Sequence, residues 1–188
     1  MTRARTLSKI GSDPAIFPGN VNITGGVLTA YSAISAEFAG SVKIGGTAAA
    51  NEIDEYEEGT WTPAINDGAG NDGSLLAVAC RYTKIGRLVH VRGSLLNMVT
   101  TGLTSTNTLY ITGLPFTLQP NTANSGMGFP VGTNDITTTK GAIAHLSYNT
   151  ATLNLYEIDD AFGPSGALQV SAFNTSADVI LSITYETA

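Results

Sequence analysis

Alternation of apolar and polar residues is the clearest pattern in the chain after residue 60. It is strongest in Leu88-Val-His-Val-Arg92, in Thr152-Leu-Asn-Leu-Tyr156 and over residues 179–185. A period of two residues is typical of strands with one buried face. With Gly, Pro and Asn turn signals between them, these segments predict strands at 60–65, 75–82, 86–96, 107–112, 126–131, 141–147, 151–157, 167–173 and 178–185.

The fold class predicted from this pattern is all-β. No stretch after residue 60 carries a helical period, and strands do not alternate with helices. Many short strands without βα alternation favour an antiparallel β-sandwich, a jelly roll or a related barrel. We therefore expect a jelly-roll-like sandwich domain over 61–188. The pattern leaves the strand order open.

The amino-terminal part contains a weak internal repeat. Residues 19–26 and 40–46 each read as a short alternating strand bounded by glycines, 21 residues apart. Two such units cannot cover each other's apolar faces as a solenoid does. Three chains wrapped together would supply the missing neighbours, so 19–50 is interpreted as a shaft-like β-repeat module of a homotrimer. A pair of ordinary hairpin strands on the main domain remains an alternative.

Two charged segments flank this module. Residues 1–18 begin with Arg3, Arg5 and Lys9, and this basic arm is expected to dock on an acidic partner surface. Residues 51–60 hold five carboxylates within seven positions, and this density opposes a packed strand. We interpret 51–60 as an acidic linker, either extended or with a short helical turn.

Composition narrows the function further. The 188 residues are 43% hydrophobic but only 13% charged, against about 25% charged in an average soluble domain, so part of the uncharged surface is expected to be covered in an oligomer. Residues 51–188 contain 5 basic and 13 acidic residues, a balance of −8 that disfavours nucleic-acid binding. No apolar run approaches the ~20 residues of a membrane-spanning helix. Cys80, the only cysteine, is expected to be buried.

Three motifs carry a resemblance to a known family. They are Ile53-Asp-Glu-Tyr-Glu-Glu-Gly-Thr-Trp-Thr-Pro63, then Tyr82-Thr-Lys-Ile-Gly86, then Ile111-Thr-Gly-Leu-Pro-Phe116. Their order resembles a module that recurs in tail fibres and other surface appendages of tailed bacteriophages. The resemblance implies a trimeric β-rich virion protein whose motif residues are structural, in core or turn positions: Trp61, Pro63, Tyr82, Gly86, Pro115 and Phe116.

The resemblance also implies a function. We expect a non-enzymatic structural protein at the virion surface, made in the host cytoplasm, whose partners are its sister copies and other capsid or tail proteins. The short chain favours a capsid decoration or cement protein, or a short fibre. The alternative is a receptor-binding tail fibre that contacts host surface glycan through loops 97–107, 119–126 and 158–166.

Candidate chemistry in the sequence is weak, and neither a cofactor nor a metal is expected. Gly68-Ala-Gly-Asn-Asp-Gly73 fits the dinucleotide fingerprint, but a strand rather than a helix is predicted to follow it. Asp67 and Asp72 resemble half of a calcium site in a Gly-rich repeat, although a surface hairpin loop is favoured and calcium binding stays open.

Catalysis is equally weakly supported. The five carboxylates of 51–60 share one exposed environment, which separates no acid from a base. His90 and His145 fall in different apolar strands, so a triad or zinc site is not expected. Cleavage of host polysaccharide is retained as the enzymatic alternative.

Overall fold

The structure is a computed structural model, and it describes residues 42–43, 52–53, 55–120, 127–128, 132–147, 149–158 and 164–187. The predicted basic arm 1–18 and the first repeat, 19–26, lie outside the described residues. The described strands are Val42–Lys43 (β1), Glu52–Ile53 (β2), Tyr56–Thr60 (β3), Ala64–Asn66 (β4), Ser74–Ile85 (β5), Leu88–Val99 (β6), Tyr110–Thr112 (β7), Met127–Gly128 (β8), Gly132–Ile136 (β9), Ala142–Leu146 (β10), Thr152–Ile158 (β11), Pro164–Ala167 (β12) and Phe173–Glu186 (β13).

These strands form two main antiparallel sheets. The five-stranded sheet has the order β3-β5-β6-β13-β9, and the six-stranded sheet has the order β4-β7-β11-β10-β8, with β12 also paired to β11. A separate two-stranded ladder joins β1 to β2. Within the described residues the only helical element is a 3-10 turn, Val170–Ala172. The all-β prediction is therefore confirmed.

The core contains side chains from both main sheets. Along β6 and β13, buried and exposed residues alternate almost without interruption, as the sequence pattern predicts. Their buried positions join one hydrophobic cluster with those of the six-stranded sheet. Its fully buried large side chains are Ile65, Val89, Leu95, Met98, Leu109, Ile111, Leu118, Leu146, Leu153, Leu155, Leu181 and Ile183.

The predicted strand 60–65 is wrong. The chain ends β3 at Thr60 and begins β4 at Ala64, and these strands belong to different sheets. Residues 61–63 make the crossing, where Trp61 and Pro63 are buried while Thr62 is exposed. A proline lacks the N–H that a strand interior needs, which suits it to this position between sheets.

The acidic segment also differs from its interpretation as a linker. Residues 56–60 pair with β5 from Tyr56 opposite Ile85 to Thr60 opposite Arg81, forming an edge strand of the five-stranded sheet. The density of carboxylates is tolerated because an edge strand stays solvated along one side. The second repeat likewise contains β1, which pairs with β2 of the same chain.

Two further element predictions need correction near the C-terminus. Predicted strand 167–173 ends early, since residues 170–172 form the 3-10 turn. Strand β12, Pro164–Ala167, pairs with β11 and begins inside the segment 158–166 that was predicted as a loop. Strand β9 lies in 132–136, where turn-rich polar residues gave no strand signal.

A β-bulge sets the register of the two longest neighbouring strands. Between Val78 and Arg81, β5 has two residues where β6 has only Gly93. Ala79 adopts a positive φ of 52°, and Cys80 is buried as expected, directly against Gly93. A Cβ added to Gly93 would lie 2.5 Å from the Cys80 Sγ. The bulge therefore requires a glycine on the facing strand.

We expect Gly93→Ala to lower the free energy of unfolding by about 1–3 kcal/mol, because the new methyl group overpacks the bulge. Denaturant unfolding followed by circular dichroism measures this change. Gly166→Ala is the matched control, since nothing lies within 4 Å of its added Cβ. Equal stability of the two variants would contradict the packing described for Gly93.

Candidate functional site

The three motifs of the resemblance meet at one corner of the five-stranded sheet. Gly86 occupies the turn between β5 and β6 with a positive φ of 56°, which favours glycine. Its N–H donates to the carbonyl of Glu55 over 2.7 Å, which ties the turn to the segment before β3. We call this region, together with residues 113–116, the motif corner.

Phe116 is the centre of the motif corner. Its ring lies edge-on to Tyr82, with centroids 5.3 Å apart and planes at 86°. The Nζ of Lys84 lies 5.5 Å from the ring centroid and forms an ion pair with Glu55. The Tyr82 hydroxyl donates to Glu57, and this hydrogen bond raises the pKa of Tyr82. The corner thus joins all three motifs through aromatic and charged contacts.

Trp61 of the first motif and Gly113 of the third close the corner from the other side. The Trp61 Nε1 donates to the backbone carbonyl of Arg92 over 3.2 Å, and its ring is buried. Gly113 has a φ of 85°, and a Cβ there would lie 2.3 Å from the carbonyl oxygen of Thr62. The segment 113–116, in which Pro115 is half-buried, can therefore approach the crossing between sheets only because it begins with glycine.

Tyr185 anchors Phe116 from the last strand. Its hydroxyl donates to the Phe116 carbonyl over 3.0 Å, and the hydroxyl oxygen in turn accepts the Phe116 N–H over 3.3 Å. Burial raises the pKa of Tyr185 to about 12. Sequence alternation placed Tyr185 in a strand, but nothing in the sequence indicated this contact with a residue 69 positions away.

The Gly-rich loop is organised around the buried carboxylate of Asp67, which is 3% exposed. One oxygen accepts the N–H groups of Ala69 and Asn71, at 3.0 and 3.3 Å. The other accepts the Asn71 amide at 2.8 Å and the Thr104 N–H at 2.9 Å. These hydrogen bonds, led by that of the Asn71 side chain, hold the pKa of Asp67 well below its usual range.

Asp67 is therefore a structural carboxylate that joins two loops, and its oxygens accept five donors, the fifth being the Asn107 amide at 3.5 Å. Asp72 is exposed and bridges to Asn66 through the backbone. The residues after Gly73 form β5, so the strand expected after the Gly-rich loop is confirmed. In the described part of the chain, no three His, Cys, Asp or Glu side chains are grouped to hold a metal ion.

The two histidines lie apart. His90 is exposed on β6 and shares a hydrogen bond of 3.0 Å between its Nδ1 and the Thr184 hydroxyl. His145 packs against Tyr156 in the six-stranded sheet, with ring centroids 5.0 Å apart. Among the described residues, no third group is hydrogen-bonded to His90 to orient its ring, as the base of an activated nucleophile requires.

The outward surface of the five-stranded sheet, here called the outer face, is unusually apolar. The register places the side chains of Tyr56, Ile85 and Leu88 in one row across β3, β5 and β6. Farther along the strands, Leu76, Val78 and Ile180 lie on the same face. These six residues are 40–62% exposed. They form two apolar clusters, and exposed apolar patches rimmed by polar residues mark interaction surfaces.

Between the two apolar ends of the outer face runs a polar band with two unpaired guanidinium groups. Arg81 and Arg92 are directly opposite one another on β5 and β6. They border a groove of about 470 Å³ that Thr83, His90 and Glu58 also line. Among the described residues, neither arginine forms a salt bridge. Like charges placed opposite each other on neighbouring strands are destabilising, so the presence of this pair calls for a functional explanation.

The residues predicted from the sequence as structural or docking positions thus fall into two groups. Trp61, Pro63, Tyr82, Gly86, Pro115 and Phe116 all lie at or beside the motif corner. The expected docking residues Arg3, Arg5 and Lys9 lie outside the described residues. The sequence did not single out Arg81 or Arg92, although the unbroken apolar run of 75–80 was a usable signal for the outer face.

Comparisons with known proteins add no relative. The chain matches no protein-family model and no curated protein sequence. Among the described residues, no helix is long and apolar enough to cross a membrane. The contacts and surfaces above therefore carry the functional argument.

We expect Asp67→Asn to destabilise the protein, because its amide nitrogen would face N–H donors that now bind a carboxylate. The melting temperature should fall by about 5 °C or more at pH 7, whereas the control Asp72→Asn should leave it nearly unchanged. A lowered folded-state pKa stabilises the fold above the unfolded pKa of about 3.9 and loses that effect as the pH falls. Wild-type stability should therefore decline more steeply than that of Asp67→Asn below about pH 5. Parallel acid profiles would contradict this role.

We expect Tyr185→Phe to lower the free energy of unfolding by about 1–2 kcal/mol, since the Phe116 backbone loses its partner. Because the folded-state pKa of Tyr185 is raised to about 12, the hydroxyl stabilises the fold below pH 10 and loses this effect as the pH rises toward 12. Urea unfolding at pH 7, 9 and 11 measures both effects. An alkaline loss of stability that persists unchanged in the variant would assign it to other groups.

Proposed function

We propose that this protein is a non-enzymatic structural protein of the tailed-bacteriophage virion surface. In this proposal it is a homotrimeric knob or short fibre with a jelly-roll-like domain, and it serves as a capsid decoration or cement protein. The observation that carries the proposal is the outer face of the five-stranded sheet, where six large apolar side chains lie exposed. Such a surface is more typical of a subunit in an assembly than of an isolated domain.

The motif corner supports the same proposal. The residues that carry the resemblance to phage appendage proteins contact each other through packing, backbone hydrogen bonds and one ion pair. Trp61 and Tyr185 are buried, and Gly86 and Gly113 adopt backbone conformations that favour glycine. A motif built in this way maintains a scaffold, as a structural virion protein requires.

The electrostatics of Asp67 and Glu157 do not suit either carboxylate to act as the acid in polysaccharide cleavage. A glycosidase needs one carboxylic acid with a raised pKa beside a carboxylate across the sugar. Here hydrogen bonds lower the pKa of Asp67, chiefly through Asn71, and that of Glu157, chiefly through the Thr139 side chain. Lowering is opposite to what a general acid requires.

As a cement protein, the chain would act through binding energy alone. A subunit that binds the assembled shell but not its dissociated parts stabilises the shell in proportion to its occupancy and affinity. Three copies in one knob multiply the effect when each copy contacts the surface. The outer face of the five-stranded sheet supplies exposed apolar area for joining the copies of such a knob.

A receptor-binding tail fibre is the second candidate, favoured by the loop between β6 and β7. Its exposed hydroxyl residues are Thr101, Thr104, Ser105 and Thr106, and Asp67 fixes the loop through the Thr104 N–H. Preorganised hydroxyl groups suit weak hydrogen bonding to sugars, which threefold avidity would strengthen. Blocking of phage adsorption by the purified protein is the result expected from this candidate.

The main test has two measurements. Light scattering of the purified full chain should give about three times the mass of one copy, and imaging of virions with a labelled antibody should place it on the head. A monomer at micromolar concentration would contradict the trimer. Label found only at the tail tip would replace the cement role with the receptor-binding one, and fragments released from host polysaccharide would contradict the non-enzymatic assignment.

A further inference from the structure

We infer that the outer face of the five-stranded sheet packs against a sister copy of this chain. We further infer that the contact joins this face to a different surface of the neighbour, one that brings carboxylates to Arg81 and Arg92. This inference rests on the proposed homotrimer and names its contact surface.

The apolar run of β5 is partly exposed to solvent in a single copy. Residues 75–80 read Leu-Leu-Ala-Val-Ala-Cys, and continuous apolar runs are typical of strands covered on both faces. Leu76 and Val78 are nevertheless 54% and 43% exposed. The run satisfies its pattern only when a second layer covers the outer face.

The area of the outer face is sufficient for a contact between two copies. Strands β5, β6 and β13 contain 12, 12 and 14 residues, and two shorter strands flank them. With about 3.3 Å per residue and about 4.8 Å between strands, the outer face measures roughly 760 Å². Stable protein interfaces bury about 600–1,000 Å² on each partner. The face is therefore large enough for one subunit contact.

The residue types of the outer face are those of a protein interface. The face combines aliphatic side chains at both ends with Tyr56, His90, Arg81 and Arg92. Aromatic residues and arginine are enriched in protein interfaces. A glycan would engage the groove through polar groups alone and would leave both apolar ends uncovered, so a protein surface fits the whole face better.

The geometry of a trimer then decides the kind of contact. Two outer faces packed symmetrically would pair only two copies, and they would bring four guanidinium groups against the single carboxylate per copy, Glu58, that lines the same groove. Burying charges that outnumber their partners is strongly unfavourable. The contact must therefore join the outer face to a different surface. A contact of this kind generates a ring when its rotation closes, as a trimer requires.

Identical copies also supply the opposite charge. Residues 51–188 contain 13 acidic and 5 basic residues, so carboxylates dominate the chain outside the outer face. An arginine pair in an otherwise acidic body selects one orientation of the neighbour, because every alternative brings like charges together.

The first experiment reverses the charges of the pair. Arg81→Glu/Arg92→Glu in the full chain should weaken trimer formation at least tenfold, as measured by sedimentation over a concentration series. Lys140→Glu, a matched reversal outside the outer face, should leave the assembly unchanged. Melting curves should show all variants folded, and Val78→Lys provides a second, independent disruption of the face.

The second experiment reads the face directly by alkylation. Ser182 lies opposite Arg92 on the outer face, whereas Ala64 is exposed on an edge strand of the other sheet. The native Cys80 is buried and its burial raises the thiol pKa, so it should react slowly. Ser182→Cys should react at least tenfold more slowly than Ala64→Cys in the trimer and should become reactive in the charge-reversed background.

The outcomes separate the inference from the proposed function. A wild-type trimer that tolerates the reversed charges and leaves Ser182→Cys fully reactive would overturn the inference while the trimer stands. A wild-type monomer would overturn the proposed trimer itself. A trimer whose reactive outer face binds host glycans, with binding lost in the charge-reversed variant, would reassign the face to receptor binding.

Discussion

The β-bulge opposite Gly93 is the constraint on which the other features depend. A strand shows alternate residues to alternate faces, so one extra residue at Ala79–Cys80 resets which side chains of β5 face inward. With it, Cys80 points into the core while Val78 and Arg81 share the outer face. The same register turns Tyr82 and Lys84 toward Phe116. One local irregularity therefore positions both the motif corner and the outer face.

The corner and the face serve different purposes because burial differs between them. In the corner, Lys84 is buried but compensated by Glu55 and by the ring of Phe116, so its charge is tolerated. On the outer face, Arg81 and Arg92 stay solvated in the single copy and carry no such compensation. The charge of Lys84 is therefore balanced inside the corner, whereas the charges of Arg81 and Arg92 remain exposed to solvent.

Sequence patterns predicted the class of fold but not its connections. Alternation identified β6 and β13 because each has one face toward the core, and it identified β11 although Asn154 is buried together with both its neighbours. The crossing at 61–63 was missed because Trp61 and Pro63 continue the same alternation while the chain changes sheets. Motif residues were placed by resemblance, yet the Tyr185 hydroxyl and the Asp67 network depend on contacts distant in sequence, which no local pattern encodes.

The acidic edge of the five-stranded sheet has a consequence for how copies can add to one another. Among the described strands, β3 pairs only with β5, and open strand edges invite strand-by-strand growth into fibres. Glu57 and Glu58 lie on this edge strand, so two such strands repel before their backbones can pair. The carboxylates thereby act as gatekeepers against edge-to-edge polymerisation.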